Sequence, residues 1–237
     1  MLKIKNFTKK YDEKIAVDNL NLEINSGEIY GFIGHNGAGK TTTIKSVVGI
    51  LDFDEGEILI DGKSIKEKPL ECKKEIAYIP DNPDLYEYMS GIDYLNFVSD
   101  IYGVKSETRK DIISKLAKTF EIEGALNELI SNYSHGMKQK LAIIAAFVHS
   151  PKLIIMDEPF VGLDPKAAYI LKEMMREVCD NGGAVFFSTH VLEVAEKLCD
   201  KIAIIKNGVL IKSGTMDEVK GDESLEEVFL ELEQNNV

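Results

Sequence analysis

Apolar and polar residues alternate in three short stretches of the N-terminal quarter: Leu2-Lys3-Ile4-Lys5, Leu20-Asn21-Leu22-Glu23-Ile24 and Glu57-Ile58-Leu59-Ile60. An apolar side chain at every second position marks a strand with one buried face. Asn25-Ser26-Gly27 and Asp61-Gly62 punctuate these stretches as turns. The pattern predicts a small antiparallel sheet around the segment that follows Gly27. From residue 83 to about 148 the period lengthens to that of helices. Ser90 with Asp93 three residues on resembles a capping box, ahead of an apolar face of Ile92, Leu95, Phe97 and Val98. Met137, Leu141, Ile144, Ala145 and Val148 mark a second amphipathic helix.

Beyond residue 150 the pattern becomes β, α, β, α, β. Residues 153–156 and 184–187 are unbroken apolar runs, as expected of strands covered on both faces. Helices are predicted over 166–178 and 191–198, a strand over 202–205, and a hairpin turn at Asn207-Gly208 leading into Val209-Leu210-Ile211. A short helix over 225–232 closes the acidic tail. The economical architecture is α/β: a parallel-sheet core, an N-terminal antiparallel β subdomain and an inserted helical subdomain at about 84–148, all in one domain over 1–237.

Between the stretch 27–33 and the next helix stands Gly34-His35-Asn36-Gly37-Ala38-Gly39-Lys40-Thr41, followed by Thr42. It fits G-x-x-x-x-G-K-[ST], a loop whose backbone N–H groups cradle nucleotide phosphates. Glycine lets the main chain approach an anion with no Cβ in the way. Lys40 is placed to reach the β- and γ-phosphates, Thr41 to ligate Mg²⁺, and the helix that starts here turns its positive end to the phosphates. Directly after the apolar run 153–156, Asp157-Glu158 puts two carboxylates at the carboxyl end of a buried strand, where ligands sit in open α/β sheets. Asp157 suits a Mg²⁺ contact, direct or through water, and Glu158, alternating outward, could polarise an attacking water.

Bulk properties narrow the partners. Lys and Arg number 28 against 40 Asp and Glu, a net charge of −12, which argues against a broad nucleic-acid or anionic-lipid surface. Cys72, Cys179 and Cys199 lack C-x-x-C spacing, so neither a metal site nor a disulfide framework follows, and buried thiols in a reducing cytosol are expected. The first residues are too short and too charged for a signal peptide, and the longest apolar run, 141–148, is far below a membrane span. Any spanning part must come from another polypeptide.

The chain as a whole resembles the ATP-binding subunit of an ABC transporter. Tyr133-Ser134-His135-Gly136-Met137 stands where that family carries its Leu-Ser-Gly-Gly-Gln signature. Gly162-Leu163-Asp164-Pro165 resembles its D-loop, and Ser188-Thr189-His190 its switch histidine. The resemblance implies that Ser134 and Gly136 face ATP held by a second such chain, that Asp164 reaches across the same dimer, that His190 serves the γ-phosphate and the attacking water, and that Tyr11 stacks on adenine. Each has a plainer reading: Ser134 and Asp164 as helix N-caps, His190 as a polar residue opening a helix, Tyr11 as a surface tyrosine.

Three departures stand out. His135 replaces the first signature glycine, and Met137 the terminal glutamine. After Ala77-Tyr78-Ile79-Pro80, where the family has its Q-loop glutamine, comes Asp81; either its carboxylate joins the metal site or Asn82 supplies the amide after a one-residue shift. The implied function is an ATPase that dimerises head to tail around ATP and drives a separate membrane subunit from the cytoplasmic face. The form of the signature and the ending Ser224-Leu225-Glu226-Glu227-Val228-Phe229 resemble exporters. The alternative is a soluble ABC ATPase acting mechanically in translation or DNA maintenance, or a regulatory subunit with little turnover.

Overall fold

The computed structural model describes residues 1–234. In chain order its elements are β1 (Leu2–Tyr11), β2 (Lys14–Ile24), β3 (Ile29–Ile33), α1 (Lys40–Val47), β4 (Glu55–Ile60), β5 (Lys63–Ser64), α2 (Pro69–Glu75), β6 (Ile76–Ile79), α3 (Gly91–Ile101), α4 (Ser106–Thr119), α5 (His135–Phe147), β7 (Leu153–Asp157), α6 (Pro165–Asp180), β8 (Ala184–Thr189), α7 (Leu192–Leu198), β9 (Lys201–Lys206), β10 (Val209–Thr215), α8 (Met216–Lys220) and α9 (Leu225–Gln234).

The strands form two sheets. One is antiparallel, in the order β2-β1-β4-β5; the other runs β10-β9-β3-β8-β7-β6 and is parallel except for the edge strand β10. The three alternating stretches of the N-terminal quarter lie in β1, β2 and β4 of the antiparallel sheet, as the pattern predicts. β3, which leads into the loop, lies inside the parallel sheet between β9 and β8. All five of its residues, Ile29-Tyr30-Gly31-Phe32-Ile33, are buried, so it is sandwiched on both faces rather than half exposed like its neighbours in sequence.

Period-two geometry divides the buried strands between two cores. Tyr30, Phe32, Ile155, Phe186, Ala203 and Ile205 pack with Ile44 and Val47 of α1 against Leu2, Ile4, Ile58 and Ile60 of the antiparallel sheet. The alternate residues Ile33, Ile154, Met156, Val185, Phe187 and Ile204 meet Leu141 and Ile144 of α5, Leu171 and Met175 of α6, and Ala195 of α7. At about 1.5–3 kcal/mol for each fully buried aliphatic or phenyl side chain, these two layers are what hold α1 and the strand ends in place.

The insertion between β6 and β7 is helical, as the periodicity indicates, and Ser90 caps α3 by accepting the Asp93 N–H at 3.2 Å. The β9–β10 hairpin turns at Asn207 (φ 49°) and Gly208 (φ 83°), the paired left-handed residues of a two-residue turn. A Cβ on Gly208 would lie 2.7 Å from the Ala16 carbonyl oxygen, so glycine is required there for packing as well as for φ. Elsewhere the alternation under-reads the structure. β1 and β2 continue beyond the alternating stretches, through register shifts between Ile4 and Lys10, into a long hairpin that carries Tyr11. Cys72, Cys179 and Cys199 are all free and buried, and burial pushes the Cys179 thiol up to about 11.

Candidate active site

The loop after β3 is shaped by close backbone approach. Gly34 has no room for a side chain: a Cβ would come within 2.4 Å of the Ile205 carbonyl oxygen. Gly39 (φ 109°) precedes α1 and presses against the Ala16 carbonyl. Ala38 N–H donates to the His35 carbonyl at 3.1 Å, and the Ala38 carbonyl accepts the Gly208 N–H at 2.9 Å, which ties the loop to the β9–β10 turn. α1 has no side-chain cap and no acidic residue in its first turn. Its first N–H groups and its dipole are therefore available to an anion. Lys40 folds back over the loop, donating to the carbonyls of Gly34 (2.6 Å) and His35 (3.3 Å), with its amine 3.7 Å from Glu158 Oε1. Burial lowers its pKa, and the carboxylates of Glu158 and Asp157 oppose that shift.

A cleft of about 620 Å³ opens over this loop. Its wall contains Tyr11, His35, Asn36, Gly37, Gly39, Lys40, Thr41, Thr42, Asp81, Asp157 and Glu158, together with Lys14, Ile15, Ala16 and Asn207, which sequence reasoning missed. The missed residues come from the β1–β2 hairpin and the β9–β10 turn, elements far apart in sequence. Gly34 and Ala38 lie behind the wall. Of the two residues offered for the Q-loop position, Asp81 is on the wall and Asn82 is not.

Asp157 ends β7, is 2% exposed, and pairs in register with Ser188 of β8. The Ser188 hydroxyl donates to Asp157 Oδ1 at 2.5 Å, and its oxygen accepts the Glu158 N–H at 3.1 Å. Glu158 does not follow strand alternation. The strand has ended, and a left-handed φ of 48° turns the side chain into the cleft. There Oε1 lies 2.9 Å from His190 Nδ1. A β-region residue at this position would aim elsewhere, so the strained conformation is part of the site's construction. His190 occupies the bend between β8 and α7, with Val191 separating it from the helix, rather than the helix's first turn. The Asp81 carboxyl is pushed up from its usual range by burial and then by the negative charge of Asp157 and Glu158.

Ser134, Gly136 and Asp164 are not on this cleft wall. Ser134 caps α5, accepting the Met137 N–H at 3.3 Å, and Asp164 caps α6, accepting the Ala167 N–H at 2.9 Å. The two caps belong to one surface: Lys140 of α5 pairs with Asp164 at 2.7 Å, and a Cβ on Gly136 would lie 3.2 Å from the Gly162 carbonyl oxygen.

The residues present fit a Mg²⁺–nucleotide. The loop offers backbone donors and a lysine, and Thr41, Asp157 and Asp81 offer hard oxygens on the same cleft. Among the described residues no group of three or more His, Cys, Asp or Glu is arranged to hold an ion by itself. Mg²⁺ takes one or two carboxylates and completes its shell with phosphate and water.

Residues 17–161 match the family of ABC transporter domains. The ABC-type transporter ATP-binding protein EcsA of Bacillus subtilis strain 168 is 37% identical over 237 residues, covering 98% of this chain and 96% of the relative. A solved ATP-binding subunit of an ABC transporter superposes with a TM-score of 0.94 at 34% identity, covering 98% of this chain and 99% of that one. A second structure, cbiO1 of Clostridium perfringens, described as part of the ABC transporter complex cbiONQ, gives 0.79 at 26% identity over 98% and 96% of the two chains.

Proposed function

Because this chain belongs to the ABC transporter family as an ATP-binding subunit with ATPase activity, we propose that it works as one half of a head-to-tail pair whose closure around ATP drives a separate membrane-spanning subunit. Among the described residues no helix is long and apolar enough to cross a membrane. The spanning part of the transporter is then a partner that this chain meets from the cytoplasmic side.

The observation that carries this reading is the separation of two half-sites within one chain. The phosphate loop and Glu158 line the cleft, while Ser134 and Gly136 open α5 away from it. The Ser134 oxygen is used as a cap, so its hydroxyl hydrogen remains for an outward acceptor. The Gly136 N–H and the N-terminal dipole of a 13-residue helix point to the same kind of ligand, a phosphate. A second chain, rotated by a two-fold axis, would place this surface over the first chain's cleft and bring Asp164 to the seam.

Within the cleft the roles follow from position. Lys40 and the α1 N-terminus bind the phosphates, and Tyr11 offers a ring for the base. Thr41 and Asp157, joined by Asp81, would hold Mg²⁺, which would supply positive charge against the phosphate oxygens. Glu158, oriented by His190, takes the proton of the attacking water as the terminal phosphoryl group leaves ADP. Export is the direction favoured by the His135–Gln139 form of the signature together with the ending Ser224–Phe229.

Mixing two inactive variants tests the shared site. Lys40→Ala removes one half-site and Ser134→Arg the other. A mixed pair regains one intact composite site, so turnover should return on mixing. Two variants that stay as inactive together as apart would contradict a shared site.

A further inference from the structure

The C-terminal helix touches the phosphate loop. α9 follows the apolar spacing Leu225, Val228, Phe229, and all three side chains are buried. The helix is tied down at both ends. At its start the Leu225 N–H donates to Glu196 Oε2 of α7 at 3.4 Å, and Glu196 also pairs with Lys220 of α8 at 2.5 Å. Near its end the Leu232 carbonyl accepts from Lys206, the last residue of β9, at 3.2 Å. Phe229 lies between these anchors. Its ring meets the His35 imidazole edge-on, with centroids 5.0 Å apart and planes at 64°.

His35 is not a peripheral residue of the loop. Its side chain forms part of the cleft wall, and its carbonyl accepts from both the Ala38 N–H and the Lys40 amine. A displaced His35 therefore moves the carbonyl that fixes the loop's turn and helps to park Lys40. Phe229 itself lines no part of the cleft and touches no reacting atom.

The geometry points to Phe229 as a positioning residue for the nucleotide site: through His35 it holds the phosphate loop in its binding shape, so the C-terminal helix sets the chain's affinity for ATP. This rests on the assignment of the cleft to ATP and goes beyond it, because no phosphate-loop motif specifies a contact from residue 229. An edge-on aromatic pair has the strength to change an equilibrium by about 2- to 10-fold.

The experiment is equilibrium binding of a fluorescent ATP analogue to the full chain, read beside steady-state turnover. Phe229→Leu keeps an apolar side chain in the core and removes the ring. It should weaken binding by about 2- to 10-fold and raise KM while kcat stays near that of the parent. Phe229→Tyr, which keeps the ring, should restore the parent affinity. Val228→Ala disturbs the same helix away from the loop and should leave affinity unchanged, which separates positioning from loss of stability. His35→Ala should weaken binding to a similar degree, and the double variant His35→Ala with Phe229→Leu should be no weaker than either alone. Parent affinity in Phe229→Leu, an equal loss in Val228→Ala, or multiplied losses in the double variant would overturn the inference. Lys40→Ala serves as the reference: loss of binding places the nucleotide in the cleft, and undiminished binding would overturn the site assignment instead.

Discussion

Asp157 and Ser188 face each other across β7 and β8, and the Ser188 hydroxyl serves two masters: it donates to the Asp157 carboxylate at 2.5 Å and accepts the Glu158 N–H at 3.1 Å. One serine thus fixes both carboxylate-bearing residues at the end of the strand. Ser188→Ala leaves the buried Asp157 oxygen without that donor, and a loss of about 1–3 kcal/mol of stability is expected. Turnover should fall as well, because the Glu158 backbone loses an anchor. Denaturant unfolding and ATPase rates on the same preparation check both.

His190 Nδ1 lies 2.9 Å from Glu158 Oε1, and in the proposed mechanism it orients that carboxylate. His190→Ala should lower kcat by ~10²–10⁴, the range for losing a general base or its function, while nucleotide affinity changes little. Single-turnover ATPase assays with parallel binding measurements make this comparison. An affinity loss as large as the kcat loss would place His190 in ground-state binding instead.

Asp81 sits where like charge is already concentrated, and burial together with Asp157 and Glu158 raises its carboxyl's pKa. A divalent cation relieves that crowding if Asp81 faces it. Asp81→Asn should therefore raise the Mg²⁺ concentration needed for half-maximal turnover. A fall in that concentration would mean that the carboxylate only repels the triphosphate.

How far the sequence alone reaches depends on the range of the interactions. The phosphate loop is legible because its chemistry is local: eight consecutive residues contain the glycines, the lysine and the hydroxyl. The caps Ser134 and Asp164 are legible for the same reason, each closing on an N–H three residues ahead. The role of Ser188 is not, because it depends on a register between strands 31 residues apart. Glu158 was expected in the site by alternation and reaches it by a left-handed turn instead. The place of β3 in the parallel sheet is not legible, because its partners lie more than 150 residues downstream.

His149 gives a pH dependence of stability. Its ring stacks on Tyr102 with centroids 3.6 Å apart, Nε2 is 3.2 Å from the Ile76 carbonyl oxygen, and burial holds its pKa below the ordinary 6.5 against the raising effect of that backbone bond. The unfolded chain takes up the proton at about 6.5 and the folded chain only at lower pH. Its contribution is therefore intact above pH 6.5, declines as pH falls from 6.5 towards the folded value, and levels off below it. His149→Gln should flatten that part of the curve in thermal melts taken between pH 7.5 and 5 (chosen to bracket about one unit and more on either side of the ordinary histidine value). An unchanged slope would assign the acid sensitivity to other groups.

The most direct test of the central claim is the mass of Glu158→Gln in solution with Mg²⁺ and ATP, measured by light scattering after size exclusion. This substitution keeps the phosphate loop, the signature surface and ATP binding while removing the proton acceptor. The account predicts a dimer with ATP and a monomer with ADP, because the terminal phosphate bridges the two halves. A chain that remains monomeric with ATP bound and uncleaved would contradict it.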